Sequence, residues 1–455
     1  MRAPRIPAFV FAVALGNLLV PLNSTMIVVA LPLIGRDLGA DPVTLAWLVT
    51  SYLIAMASLQ PIAGRLGDRF GRRRFMLGAL VYFIVASVGA SLAPNLLVLV
   101  AFRLQQALAA ASVVPNSLAL LRGEAMEGKA GTYFGISGAT TSIGAAIGPL
   151  LGGLLSAIDW RLIFLVNLPL AGLALFMAWR SLPAGDAPRR GAHPDIRGAV
   201  ALGVLLSLAA WTLTEAGTSA PAVTIGLLVV VALAAVAFVR YESRHADPAL
   251  PPFLFTISAF TNANLTIALS NLALYGTFLA VPVILAASGP DATIRAGIAI
   301  SAQSVAMIVL SPVSGALVDR VGARWPTALG GLLIATGLAI LGLSGRASDF
   351  GVLLICLPIT GAGVALTFPA TRIAALDAVP ARFAALASGV TSSSRYFGGM
   401  VGALVAGLAL AVVTESAAGR LFLILAAAGV AAAIAGSRLP RHIAPPVEVD
   451  ARTAV

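Results

Sequence analysis

Of 455 residues only one, Cys356, is cysteine, and only three are histidine. A lone thiol leaves no disulfide to constrain the fold, and in its apolar run it reads as a small packing residue. Lysine is nearly missing as well: of 29 basic residues all but Lys129 are arginine, a compositional bias with no mechanistic content. Charge of either sign is scarce, 10% of the chain where a soluble globular protein carries about 25%. Together with 59% hydrophobic residues this excludes a soluble domain. Alternating segments of about ten residues are also missing, which excludes a membrane β-barrel.

What is present is long apolar runs. About fourteen, from residues 9–32 to 419–437, are each long enough to cross a hydrocarbon core of about 30 Å as a helix. The expected fold is therefore an all-α polytopic membrane protein. The first run is too long for a cleavable leader and continues into "LPLIGRDLGADP", so it stays as the first span. Placing the N-terminus in the cytoplasm puts 22 of the 29 basic residues in inner loops and tails and five in outer loops. Such asymmetry favours two cytoplasmic ends and an even number of spans in a cell membrane. The net charge of +11 then reports topology and attraction to anionic membrane lipid, with no nucleic-acid partner required.

The chain repeats itself. "PIAGRLGDRFGRR" (61–73) returns as "PVSGALVDRVGAR" (312–324), and "SGATTSIGAAIG" (137–148) returns as "SGVTSSSRYFGG" (388–399), both at an offset of 251. The expected organisation is a six-helix bundle over 1–182, a connecting segment with two inserted helices over 183–250, a second six-helix bundle over 251–440 and a tail over 441–455. A parallel repeat about an axis normal to the membrane places a substrate site near the midplane, between the halves.

"GRLGDRFGRRR" after the second span, "RLQQALAAA" in the fourth, "GAAIGPLLGG" in the fifth and "DWRLIFLVNLPLAG" opening the sixth resemble the motif series of the major facilitator superfamily. With "LNSTMIVVALP" and fourteen spans, they are similar to its fourteen-helix drug/proton antiporter branch. The resemblance implies a major facilitator fold and export of a small molecule such as a drug, antibiotic or natural product. No cluster of His, Asp or Glu in the sequence suits acid/base or metal chemistry, so no enzyme activity, cofactor or metal is expected, and a monomer is the expected state.

Three groups of residues carry the functional reading. Gly64, Asp68, Arg69, Gly71 and Arg73, repeated as Gly315, Asp319 and Arg320, are expected at a cytoplasmic gate, as latches or as static loop clamps. Gly144, Gly148 and Gly152 recur every fourth residue beside Pro149, giving the fifth span a smooth face and a bend. The third group is intramembrane. Arg103 and Arg395 lie ~11 Å and ~17 Å into their spans at 1.5 Å per residue, and an arginine there costs about 2.5 kcal/mol or more. Each either faces a central cavity or ties its own bundle together. Asn264, Asn271 and Tyr275 share one helical stripe, Asn17 and Ser24 share another, and Asn23, Asn116, Gln303 and Ser304 complete the cavity candidates. For every amide the alternative is interhelical hydrogen bonding.

The acidic residues leave coupling open. Seventeen of the 18 carboxylates fall in loops or at span ends, and Glu215 lies near the outer end of an inserted helix. The resemblance implies an aspartate where this chain has Asn23, and an amide does not titrate. A cavity with cations and no anion favours neutral or anionic amphiphiles, with Arg103 or Arg395 as the anion contact. The coupling proton is carried by Asp37, Asp41 or Glu215, or by the substrate, or there is no ion coupling. A non-transporting receptor is the alternative of a different class.

Overall fold

Apolar side chains cover nearly every helical turn, and some of the polar residues that remain sit where helices begin and end. In the computed structural model Asp349 caps one helix by accepting from the backbone N–H groups of Gly351 and Val352, and Thr414 caps another through Ala417. Asp41 and Asn95 do the same through Thr44 and Val98. Several carboxylates assigned to loops thus satisfy the free N–H groups of helix starts. The structure describes residues 7–124, 130–182, 195–215, 220–245, 248, 250, 252–286, 289, 291–380 and 384–440.

Those residues form helices α1 (Ala8–Leu38), α2 (Pro42–Phe70), α3 (Arg72–Ser91), α4 (Leu96–Glu124), α5 (Ala130–Ile158), α6 (Leu162–Leu165) and α7 (Asn167–Ser181). There follow α8 (Ile196–Glu215) and α9 (Pro221–Arg244), then α10 (Ser258–Leu285), α11 (Ala292–Val321), α12 (Arg324–Leu343), α13 (Phe350–Asp377), α14 (Ala384–Ala409) and α15 (Glu415–Ser437). Fourteen are long; α6 is a four-residue turn that breaks the expected sixth span ahead of α7. Eleven helices are long and apolar enough to cross a membrane by the described residues alone. No strand occurs among the described residues. The protein is a multi-pass, all-helical membrane protein.

The repeat is visible in the backbone. Gly71 and Gly322, 251 residues apart, both have positive φ, 89° and 75°, at the breaks between α2 and α3 and between α11 and α12. Among the described residues only glycines have positive φ, the conformation that a Cβ disfavours. Burial sorts the helices by depth: 83% of the α1 span and 78% of the α10 span are buried, against 6% of α9. The central helices α1 and α10 thus occupy corresponding places in the two halves. α8 packs on α2 and α14, while α9 rests on α8 at the edge. One apolar cluster, containing Leu31, Leu53, Phe278 and Met400, runs between the halves. Two smaller ones close each half on the face that carries the chain ends, around Phe9 and Met76 and around Leu254 and Phe260.

Candidate functional site

A cavity of about 120 Å³ lies between the halves, bounded by α1, α2 and α5 on one side and α10, α11, α13 and α14 on the other. Its walls are largely apolar: Val20, Pro21, Leu274, Phe278, Met307, Val364 and Phe368. The polar groups are few. Ser24, Asn271, Tyr275, Ser304 and Arg395, all expected from sequence, line it, and Tyr52, Thr25, Ser311 and Tyr396 join them. The Arg395 guanidinium lies 5.1 Å from the centre of the Tyr396 ring, a cation–π distance. Asn271 spends its amide N–H on the Ile267 carbonyl, 2.8 Å away, which leaves its Oδ1 without a partner. The Tyr52 hydroxyl is likewise buried and unpartnered. The cavity therefore offers a fixed cation, a phenol and a free amide oxygen, and no acidic residue lines it.

Arg103 is elsewhere. It is fully buried inside the first half and is not among the lining residues. Nη1 donates to Gln106 Oε1 at 2.9 Å, and the guanidinium stacks 4.5 Å from the centre of the Tyr52 ring. Gln106 donates to Ser87 at 2.8 Å and faces the Asn23 amide at 3.5 Å; Asn23 in turn accepts from Asn167 at 3.1 Å. Four helices, α1, α3, α4 and α7, are joined by this chain of amides. Arg103 and Asn23, both cavity candidates from sequence, thus lie off the cavity lining and take the alternative of tying helices together, with Arg103 Nε left without a partner. Gln106, one turn from Arg103 in "RLQQ", is a nearby side-chain amide of the kind the bundle-tying alternative calls for.

Two of the remaining amides also tie helices. Asn17 accepts from Ser117 at 2.7 Å, and Asn116 donates to Ala63 on α2 at 3.0 Å. Asn264 donates to Phe260 one turn back at 2.8 Å. Gln303, fully buried on α11, sits beside the lining residue Ser304 without lining the cavity itself. None of the four lines the cavity: Asn17 and Asn116 bond to α4 and α2, Asn264 bonds within α10 and leaves its Oδ1 without a partner, and the Gln303 amide is buried without one.

Close backbone approach explains the glycines of α5. A Cβ on Gly144 would stand 2.6 Å from the Leu18 carbonyl oxygen, and one on Gly152 2.6 Å from that of Met26, so this face lies against α1. Gly148 sits against Thr25 on the same line. The neighbouring face crosses to the other half: a Cβ on Gly297 of α11 would lie 2.7 Å from the Pro149 carbonyl oxygen and one on Gly153 3.0 Å from that of Thr293. On the same distal face, away from the chain ends, Arg36 donates to the Ala286 carbonyl of the second half at 2.9 Å. The halves meet there.

At the opposite face Gly64 and Asp68 lie in α2 and Asp319 in α11, with their side chains and surroundings outside what the structure describes. Arg73 donates to the Trp179 carbonyl at 2.6 Å, a clamp within the first half, while Arg69 rests over Phe70 at 5.7 Å and Arg320 is exposed. No Cβ contact would arise at Gly315. Of the candidate coupling acids, Asp37 accepts from Trp160 at 2.9 Å and pairs with Arg161 at 3.1 Å at the exposed distal surface. Glu215 ends the peripheral helix α8, and neither lines the cavity.

Two repeated helical halves closed around a cavity between them match the architecture of secondary transporters. The model of the Major Facilitator Superfamily matches residues 13–289 and 253–453, and the chain belongs to that superfamily. It is 35% identical over 405 residues to the "Uncharacterized MFS-type transporter YvkA" of Bacillus subtilis, spanning 88% of this chain and 90% of that protein. It is 30% identical to the "Tetracenomycin C resistance and export protein" of Streptomyces glaucescens, over 88% and 75% of the two chains. It is 29% identical to the "Methylenomycin A resistance protein" of Streptomyces coelicolor, over 97% and 94%. A solved POT family transporter in complex with 5-aminolevulinic acid shares the fold, with a TM-score of 0.70 at 14% identity over 94% and 95% of the chains.

Proposed function

We propose that this transporter is an exporter of small amphipathic compounds, neutral or anionic, working by alternating access in the cell membrane as a monomer with both termini cytoplasmic. The observation that carries the charge preference is Arg395, facing an apolar cavity whose lining holds no carboxylate. A guanidinium there attracts an acidic group and repels a lipophilic cation. Apolar walls take the body of the compound, and Asn271 Oδ1 and the Tyr52 hydroxyl orient its polar groups. The relatives named for resistance to tetracenomycin C and methylenomycin A support export of natural products.

The ion pair of Asp37 with Arg161 and the peripheral place of Glu215 count against either as the coupling acid. The proton, where one moves, travels on the substrate. Transport of an aromatic acid and of a lipophilic cation into inside-out proteoliposomes, with and without a pH gradient, tests the reading. Saturable uptake of the acid and none of the cation is expected. Cation uptake that survives loss of both Arg103 and Arg395 overturns it.

A further inference from the structure

The second basic site of the molecule is at its edge. α9 runs apolar from Pro221 to Val239, about 28 Å at 1.5 Å per residue, close to the thickness of a hydrocarbon core at about 30 Å. Arg240 and Arg244 follow at once, one turn apart and both exposed. They frame a pocket of about 370 Å³ whose other walls are Ala237 and the rings of Tyr241 and His245, with centres 5.5 Å apart. With 6% of its span buried, α9 presents the rest of its apolar surface, Leu233 and Val236 included, beside that pocket.

The acids nearby do not neutralise it. Asp195 is 3% exposed and Glu242 1%, and the two carboxylates converge on Gly198 of α8, behind the pocket. Asp195 accepts from Gly198 N–H at 2.8 Å and from the Tyr241 hydroxyl at 3.0 Å, and Glu242 accepts from Leu250 N–H at 2.8 Å. His245 Nδ1 lies 3.7 Å from Asp195 Oδ2. Among the described residues no carboxylate pairs with Arg240 or Arg244. Arg197, at the start of α8, is exposed on the same face.

We infer that this pocket binds the headgroup of an anionic phospholipid, with the phosphodiester held by Arg240 and Arg244 and an acyl chain lying along Leu233 and Val236. Juxtaposed cations at the depth where the apolar run ends, opening onto exposed aliphatic surface, match a lipid's own division into charged head and apolar tail. A second copy of the chain fits poorly, because it would bring the same cations face to face.

The test is native mass spectrometry of the full chain in mild detergent with phosphatidylglycerol or phosphatidylcholine of matched acyl chains. The unmodified protein should retain phosphatidylglycerol about tenfold more strongly than phosphatidylcholine, and the Arg240→Gln/Arg244→Gln double variant should lose that preference. Arg240→Lys/Arg244→Lys should keep most of it, and Arg346→Gln, on the other face, all of it. Glycerol phosphate at the same concentration should not displace the lipid. Equal retention of both lipids by the unmodified chain, an unchanged preference in the double glutamine variant, displacement by glycerol phosphate, or a dimer broken by that variant would each overturn the inference. The competition arm uses the unmodified chain, so a misfolded variant does not decide it.

Discussion

Arg103 and Arg395 carry the same charge at comparable depth, one in each half, and the two halves use them differently. Arg103 is enclosed by its own bundle, donating from Nη1 to Gln106 and stacked on Tyr52, with Nε unpartnered. Arg395 lines the cavity, its guanidinium 5.1 Å from the centre of the Tyr396 ring. The repeat sharpens the contrast. The position 251 residues before Arg395 is Gly144, whose lack of a side chain lets α5 press on α1. One site in the duplicated fold thus serves as packing in the first half and as a charged wall in the second. Buried charge by itself does not mark a binding site; its neighbours decide.

Substitutions at four positions break or sharpen this contrast. The largest effect is expected from Arg395→Ala. Removing a charge-assisted contact worth about 1.5–3 kcal/mol should weaken uptake of an anionic substrate by about 10- to 100-fold, with a neutral analogue changed by less than about threefold. Equal losses for both compounds would show that Arg395 holds the helices and does not read charge. Next comes Arg103→Ala, which leaves Gln106 and the Tyr52 ring without their partner. A lower melting temperature and reduced transport of acid and neutral compound alike are expected, whereas Arg103→Met, similar in volume and apolar, should recover most of both. Selective loss of the acid in Arg103→Met would place the working cation in the first half after all.

Asn23→Asp should have a smaller effect. The new carboxylate would lie within the Gln106 and Asn167 network and near a permanent cation, so it should stay ionised at neutral pH and leave the pH profile of transport between 6 and 8 unchanged. Gain of a pH-dependent limb, or acceptance of lipophilic cations, would make Asn23 a latent coupling position. Asp37→Asn should do least: exposed ion pairs contribute little, and transport should change by less than about twofold. A loss of pH-driven transport in that variant would return Asp37 to the mechanism.

The sequence made the helices, the duplication and the family legible, because span length, a conserved offset and glycine spacing survive as linear patterns. Gly71 and Gly322 are an example: a motif matched on paper becomes a matched pair of positive φ angles. The rotation of each helix about its axis was not legible. In a soluble helix the apolar stripe tells which side is buried, but in a membrane both lipid and neighbouring helices are apolar, so the stripe vanishes. Asn17, Asn23 and Asn116 therefore looked as suited to the cavity as Asn271, and only packing separated them. Tyr52 and Tyr396 escaped notice for the same reason, although Tyr396 adjoins Arg395. The division of α6 from α7 has no comparable physical account.

The acid-free lining of the cavity has an electrical side. Moving a monoanion out of a compartment held at negative voltage releases about 2.3 kcal/mol per 100 mV, or about fortyfold in concentration when 1.4 kcal/mol is a factor of ten. A carrier built around Arg395 alone can draw on that voltage directly. Losing the titratable residue of the first helix then costs such an exporter no driving force, provided its cargo is itself the charge that moves.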